Sequence, residues 1–134
     1  MFVYDVGYGT FKCIDEFLKL LKAKGVQVVV DVRAFPRSRI KGFSFDELEG
    51  ELNRSGVDYI WLGKELGGFR KKGYENYVKK ESFRRGLEVL SIIARDKITC
   101  LMCLERDRKF CHRRFIVEEL RKMGFDVKDL VGGD

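Results

Sequence analysis

Apolar residues occur along this chain in two patterns: short continuous runs, and longer stretches in which they return every three or four positions. The continuous runs predict five strands, at residues 2–6, 26–32, 57–62, 98–104 and 125–131. The second run is β-branched and shows no polar alternation until Asp31, a pattern typical of a strand covered on both faces.

The periodic stretches between the runs predict amphipathic helices, the last of them at residues 112–123. Residues able to cap a helix precede the other three. Thr10 is the predicted cap of the first, Ser44 and Glu47 form a capping box for the second, and Ser82 caps the third. Residues 63–80 are predicted to form a loop rich in glycine and lysine, with one short helical turn.

This alternation predicts an α/β fold. We expect residues 1–134 to form a single domain with a mainly parallel sheet of about five strands and helices on both faces, a three-layer α/β/α arrangement. The helix-to-strand connections are short, whereas the strand-to-helix loops are long. Ligands in such sheets bind at the carboxyl ends of the strands, where the long loops lie.

Composition narrows the class of protein. No apolar run approaches the roughly 20 residues of a membrane helix, so no membrane partner is expected. The N-terminus begins as a strand rather than as a signal peptide, which predicts a cytoplasmic protein whose four cysteines are not a disulfide framework. The net charge is +6, and the only amides are Gln27, Asn53 and Asn76, a combination that fits a hyperthermophile.

The positive charge is concentrated in three strand-to-helix loops. Residues 33–41, 62–80 and 103–114 hold fifteen of the 27 basic residues. In the predicted fold these loops meet at one edge, which indicates a phosphate-bearing ligand or nucleic acid as partner. The alternative is that these loops are simply solvated and therefore charged.

The first motif with candidate chemistry follows the second strand. Asp31 and Arg33 share a face of that strand at its carboxyl end. In the functional interpretation Arg33 binds an anion that Asp31 orients, with further donors from Arg37 and Ser38. In the structural interpretation the carboxylate and the guanidinium only pair with each other.

The most informative stretch is residues 101–114. Cys103 ends a strand and Glu105 follows it, while Cys111 and His112 open the next helix, so the four are expected to converge near Arg113. Cys103 or Glu105, together with His112, would then act as nucleophile or acid–base catalyst.

Two other interpretations of this stretch stay open, structural thiols with a helix cap, and a metal site. Cys100 and Cys103 have an odd spacing that places them on opposite faces of a strand, so they should not share a metal. Zinc would need four ligands and no other pair is present, so no metal or cofactor is predicted.

The loop after the third strand contains Gly67 and Gly68, which permit a tight turn or close approach to a ligand. Arg70 follows and is a third candidate phosphate ligand beside Arg33 and Arg113. Aromatic residues lie among the basic loops and suit stacking on bases, although such rings also pin loops: Phe69, Tyr74, Tyr77 and Phe110. Dinucleotide-binding and P-loop classes are disfavoured because neither glycine motif is present.

Taken together, these motifs resemble the family called domain of unknown function 488, over residues 3–130. The resemblance is carried by Asp31-Val32-Arg33 with Pro36 and Ser38, Tyr59 with Leu66-Gly67-Gly68 and Arg70, Tyr77, Met102-Cys103-Leu104-Glu105, and Cys111-His112-Arg113. It implies an α/β domain with these residues clustered, and it implies no activity.

The chain departs from that family's pattern at two strand ends, where Gly7-Tyr8-Gly9 replaces Gly-His-Ser and Lys128-Asp129 replaces a histidine. A fainter similarity links it to rhodanese-like domains, in which Cys103 would match the sulfur-carrying position.

Three functions are therefore considered. The leading hypothesis is a basic, anion-binding and catalytic pocket that acts on a nucleotide or nucleic acid. The second is a thiolate enzyme of rhodanese or phosphatase type that transfers sulfur or phosphoryl groups. The third is a nucleic-acid-binding module without catalysis. The sequence gives no oligomeric state.

Overall fold

The structure is a computed structural model that describes residues 1–132, apart from the side chain of Phe110. Its strands are β1 (Phe2–Gly7), β2 (Val28–Asp31), β3 (Asp58–Trp61), β4 (Thr99–Cys103) and β5 (Asp126–Asp129). Its helices are α1 (Ile14–Ala23), α2 (Phe45–Arg54), α3 (Gly63–Leu66), α4 (Tyr74–Tyr77), α5 (Glu81–Asp96) and α6 (Arg113–Lys122).

The five strands form one parallel sheet in the order β3-β2-β4-β1-β5. The predicted α/β fold is thus confirmed. β4 occupies the centre of the sheet, where Cys100 lies beside Tyr4 of β1 on one side and Val29 of β2 on the other.

Two hydrophobic cores cover the two faces of the sheet. One contains Phe83 and Leu90 of α5 with Ile116 and Leu120 of α6. The other contains Phe17 and Leu21 of α1 with Leu48 and Leu52 of α2. Each such buried side chain stabilises the fold by about 1.5–3 kcal/mol.

Side chains along β4 alternate between these cores. Leu101 and Cys103 point into the α5–α6 core, whereas Cys100 and Met102 point into the α1–α2 core. The predicted separation of Cys100 from Cys103 is confirmed, and Cys103 shares its side of the sheet with α6.

The predicted helix caps were wrong in detail, because loop contacts compete for the same groups. Thr10 lies in a short 3₁₀ turn, and α1 begins at Ile14, where Glu16 accepts from the Lys12 backbone N–H at 2.9 Å. Ser44 does precede α2, but its hydroxyl donates to the Ser38 carbonyl at 3.3 Å instead of capping the helix.

The third cap and the 63–80 loop also differ from the prediction. α5 begins at Glu81, and the Ser82 hydroxyl donates to the Tyr77 hydroxyl oxygen at 3.0 Å, because the single Tyr77 proton is given to the Glu65 carbonyl. The loop contains two short helices, α3 and α4, rather than one turn. The tyrosines of α4 hold them together, since Tyr74 donates to the Leu66 carbonyl at 2.7 Å. None of the helices in the described part of the chain has the length and apolar character that crossing a membrane requires.

Candidate functional site

A cavity of about 460 Å³ opens at the carboxyl ends of β2 and β4. The chain leaves β2 toward α2 on one face of the sheet and leaves β4 toward α6 on the other, which is how ligand crevices form in open parallel sheets. Residues after four strands line it: Tyr8 follows β1, Phe35 and Arg37 follow β2, Gly68 and Phe69 follow β3, and Cys103, Glu105, Cys111 and His112 belong to the end of β4 and its loop.

Cys103, Cys111 and His112 converge at this cavity. Their two sulfur atoms and one ring nitrogen all lie within 4.8 Å of one another. Both cysteines are buried, and the histidine is half-buried. The convergence expected from the sequence is therefore present for these three residues, and Glu105 lies exposed on the cavity wall.

The orientation of the His112 ring follows from its hydrogen bonds. Nε2 lies 2.9 Å from the Val32 carbonyl oxygen. A carbonyl only accepts, so Nε2 carries a proton and donates it. Nδ1 is thereby turned toward the sulfur of Cys111, 3.6 Å away.

The pKa values of the two thiols are shifted in opposite directions. A hydrogen bond from Cys103, helped by His112 and the backbone N–H of Arg113, lowers the pKa of Cys111 against the effect of its burial. The same bond and burial raise the pKa of Cys103. The pKa of Cys111 is therefore lower, and that of Cys103 higher, than the pKa of an ordinary thiol.

Cys103, Cys111 and His112 are also close enough to share one cation. Among the described residues, no other three cysteine, histidine, aspartate or glutamate side chains bring their donor atoms as close together. Two thiolates and one imidazole suit a borderline metal ion such as zinc. The sequence predicted no metal here, because no fourth protein ligand could be identified for zinc.

Asp31 and Arg33 form a buried ion pair below the cavity. Arg33 donates from Nη2 to Asp31 Oδ2 at 2.7 Å and from Nε to Oδ1 at 2.9 Å. Its Nη1 donates to the Phe43 carbonyl at 2.7 Å, and the Tyr59 hydroxyl donates to Asp31 at 2.6 Å. Arg33 borders the cavity, but its donors are engaged within the protein, as in the structural interpretation of this motif.

Arg113 points away from the cavity, toward β1. Its Nε lies 2.7 Å from Asp5 Oδ1, and its Nη1 donates to the Val6 carbonyl at 2.9 Å. Arg108 pairs with the other oxygen of Asp5 at 3.0 Å and with Asp129. Burial raises the pKa of Asp5, and these two arginines partly oppose that effect.

Arg70 braces its own loop. It donates to the Gly67 and Lys64 carbonyls at 3.0 and 2.8 Å, and its guanidinium lies 3.7 Å from the centre of the Tyr77 ring. Ser38 bonds to Ser44 and lies outside the cavity lining. Of the arginines expected to bind an anion, Arg37 combines exposure with a place on the cavity.

The aromatic residues of these loops also fall into two groups, those that hold a loop in place and those that are exposed at the cavity. Tyr74 and Tyr77 pin their loop through hydroxyl bonds to the Leu66 and Glu65 carbonyls. Phe69 is 87% exposed, and Phe35, which the sequence did not single out, is 71% exposed beside it. The side chain of Phe110 lies outside the described residues. The available signal for Phe35 was an apolar ring within a basic, proline-containing loop.

Comparison with known proteins places the chain in one family. The family model described as Domain of unknown function DUF488 matches residues 13–120. No curated protein and no solved structure matches the chain, so the fainter similarity to rhodanese-like domains has no support from these comparisons.

Proposed function

The chain belongs to the DUF488 family, whose description names no activity, and we propose from the site itself that it is an enzyme acting on a nucleotide or a nucleotide unit of nucleic acid. The observation that carries the proposal is that one cavity joins Cys103, Cys111 and His112 to two exposed phenylalanines. The phenylalanines would bind the base, and the trio would act on the substrate.

Phe35 and Phe69 are presented to the solvent by braced loops. Their ring centres are 5.7 Å apart and their planes are tilted by 48°. Phe69 has a φ of 60°, a conformation that is uncommon for a bulky residue, and the Arg70 side chain ties the residue after it to the Gly67 carbonyl before it. The exposed Phe69 ring, held in this conformation with the exposed Phe35 ring beside it, favours a stacking role over a packing role.

Charge and size agree with a nucleotide. Arg37 is an exposed basic residue in the cavity lining. Further exposed basic residues belong to the loops that contribute to the cavity: Arg39 and Lys41; Lys64, Lys71 and Lys72; and Arg106. A nucleotide offers the planar ring and the phosphate that such a surface complements. The cavity volume of about 460 Å³ lies within the range of roughly 300–1,000 Å³ typical of small-molecule sites.

We expect nucleoside monophosphates to bind, and Phe69→Ala and Phe35→Ala each to weaken binding by roughly 5- to 150-fold, the effect of losing one stacked base. Isothermal titration calorimetry at two salt concentrations measures this. Ile92→Ala, which removes a 58% exposed side chain from α5, is the matched control and should bind like the unmodified chain.

Short single-stranded oligonucleotides form a parallel arm and distinguish a free nucleotide from a unit of nucleic acid. Inorganic phosphate bound as tightly as any nucleotide, or full affinity in both phenylalanine variants, contradicts the proposal.

Catalysis is tested separately from binding. Bound nucleotides are incubated with the protein and with His112→Gln, and the products are identified by mass spectrometry. Product from the unmodified chain alone supports an enzyme. Binding without product from either protein supports the non-catalytic nucleic-acid module, and sulfur or phosphate found covalently on Cys111 supports the thiolate transfer enzyme.

A further inference from the structure

We propose that Cys103, Cys111 and His112 bind one zinc-class cation, with its remaining coordination position open to the cavity. This inference deepens the proposed function, because it assigns a chemistry to the same site. Catalytic zinc sites use three protein ligands and leave the fourth position to water or substrate. Three protein ligands without a fourth are therefore the number that a catalytic zinc site needs.

The distances fit a shared ion. Bond lengths of about 2.3 Å to sulfur and about 2.0 Å to nitrogen, at a tetrahedral angle, place the two donor atoms about 3.5 Å apart. The sulfur of Cys111 lies 3.6 Å from Nδ1 of His112. Cys103 Sγ completes a triangle in which no side exceeds 4.8 Å.

The surrounding groups orient the donors as they do around bound metals. Metal-binding histidines commonly donate their other ring N–H to a backbone carbonyl or carboxylate, which fixes the tautomer. His112 donates from Nε2 to the Val32 carbonyl at 2.9 Å, so the lone pair of Nδ1 faces the sulfurs. The backbone N–H of Arg113 lies 3.4 Å from Cys111 Sγ, which supports the charge of a ligating thiolate.

Space beside the trio is kept open by Gly68. A Cβ at that position would lie 3.1 Å from Nδ1 of His112, closer than ordinary contact. Gly68 also lines the cavity, as do all three donors. The side of the site away from the core therefore opens to the space assigned to the substrate.

The chemistry that follows is hydrolysis. A zinc ion makes its bound water a nucleophile near neutral pH. The water oxygen would bond to the electrophilic atom of the substrate while the bond from that atom to the leaving group breaks, and one proton of the water would pass to the leaving group. With both sulfurs ligated, neither is free to carry a sulfur or phosphoryl group.

The test begins with chelator-treated protein titrated with Zn²⁺, and with Co²⁺ as a spectroscopic probe. We expect one ion per chain and the sulfur-to-cobalt absorption of thiolate ligands. Cys103→Ser, Cys111→Ser and His112→Gln should each weaken binding by more than about 100-fold, the upper end of what loss of an outer-shell partner costs. Cys13→Ser, which alters an exposed thiol outside the cavity lining, is the matched control.

A second measurement does not depend on the folding of any variant. In the unmodified chain, bound Zn²⁺ should protect Cys103 and Cys111 from alkylation while Cys13 stays reactive. Equal alkylation with and without zinc, or a cobalt spectrum without thiolate bands, overturns the inference.

The two proposals fail in different ways. Nucleotide binding by metal-free protein that depends on Phe69, without zinc binding, removes the metal and leaves the proposed function. Zinc binding without nucleotide binding removes the proposed function and leaves the metal site.

Discussion

Replacing Arg33 by alanine should lower the free energy of unfolding by about 3–5 kcal/mol, the usual cost of breaking a buried ion pair. Arg33 is 4% exposed and Asp31 is fully buried, so the variant leaves a carboxylate without its main partner. Among the described residues, the Tyr59 hydroxyl and the backbone N–H of residue 33 remain as donors to it. Urea unfolding followed by circular dichroism measures the change.

Arg37→Ala is the control for this prediction. Its side chain belongs to the same loop but is exposed, so its substitution should change the free energy of unfolding by less than about 0.5 kcal/mol. Equal stability of the two variants would show that the Asp31–Arg33 pair contributes little. The comparison also matters for binding studies, because lost binding in an Arg33 variant does not identify an anion contact when the fold itself is weakened.

Arg113→Ala should cost a similar amount, about 3–5 kcal/mol near pH 7, but its effect should depend on pH. Arg113 and Asp5 are each 1% exposed. Loss of the arginine leaves the Asp5 carboxylate facing Arg108, the Asp129 carboxylate and the buried Cys100 thiol. Since Arg113 is the largest charge that lowers the pKa of Asp5, the variant should raise that pKa further.

The sign of the pH effect follows from this shift. A carboxyl group whose pKa is higher in the folded chain than its unfolded value of 3.8 stabilises the fold when protonated, and this contribution disappears as the pH rises through the folded pKa. The loss of stability in Arg113→Ala should therefore be smaller at a pH of about 4 than at about 7. Urea unfolding at both pH values tests this.

Asp5→Asn with Arg113→Ala provides the control, because it removes both charges. Its deficit relative to the unmodified chain should not shrink between these pH values. A deficit of Arg113→Ala that is independent of pH would show that Asp5 is not the group responsible.

The order of apolar runs was enough to predict the sheet and its two covered faces, because burial imposes a pattern on every residue of an element. The convergence of Cys103, Cys111 and His112 was also predictable, since the carboxyl end of a central strand and the start of the next helix must meet. Those inferences depend on backbone placement, which periodicity reports directly.

The direction in which each arginine side chain points, and therefore its bonding partner, was not predictable in the same way. A long side chain at a strand end can turn toward solvent or toward a buried carboxylate, and spacing does not separate the two. One signal was present, because Asp5 lies within the apolar run 2–6 and a buried carboxylate needs a partner. The helix-capping predictions failed for a similar reason. The hydroxyls of Ser44 and Ser82 bond to residues of neighbouring loops, and no local sequence pattern predicts the path of those loops.

The central position of β4 also determines the order in which the molecule can assemble. β1 and β2 do not pair with each other, and β4, which joins them, comes about 70 residues after β2 in the chain. Until residues 99–103 are in place, β1 has no neighbour on that side and the sheet exists only as separate parts. Contacts over such separations slow folding, because much of the chain must be ordered before they form. Cys103 ends this strand, and Cys111 and His112 follow it, so a chain that has not yet added β4 to the sheet has no formed cysteine–histidine cluster, and a cation captured there would report that β4 is in place.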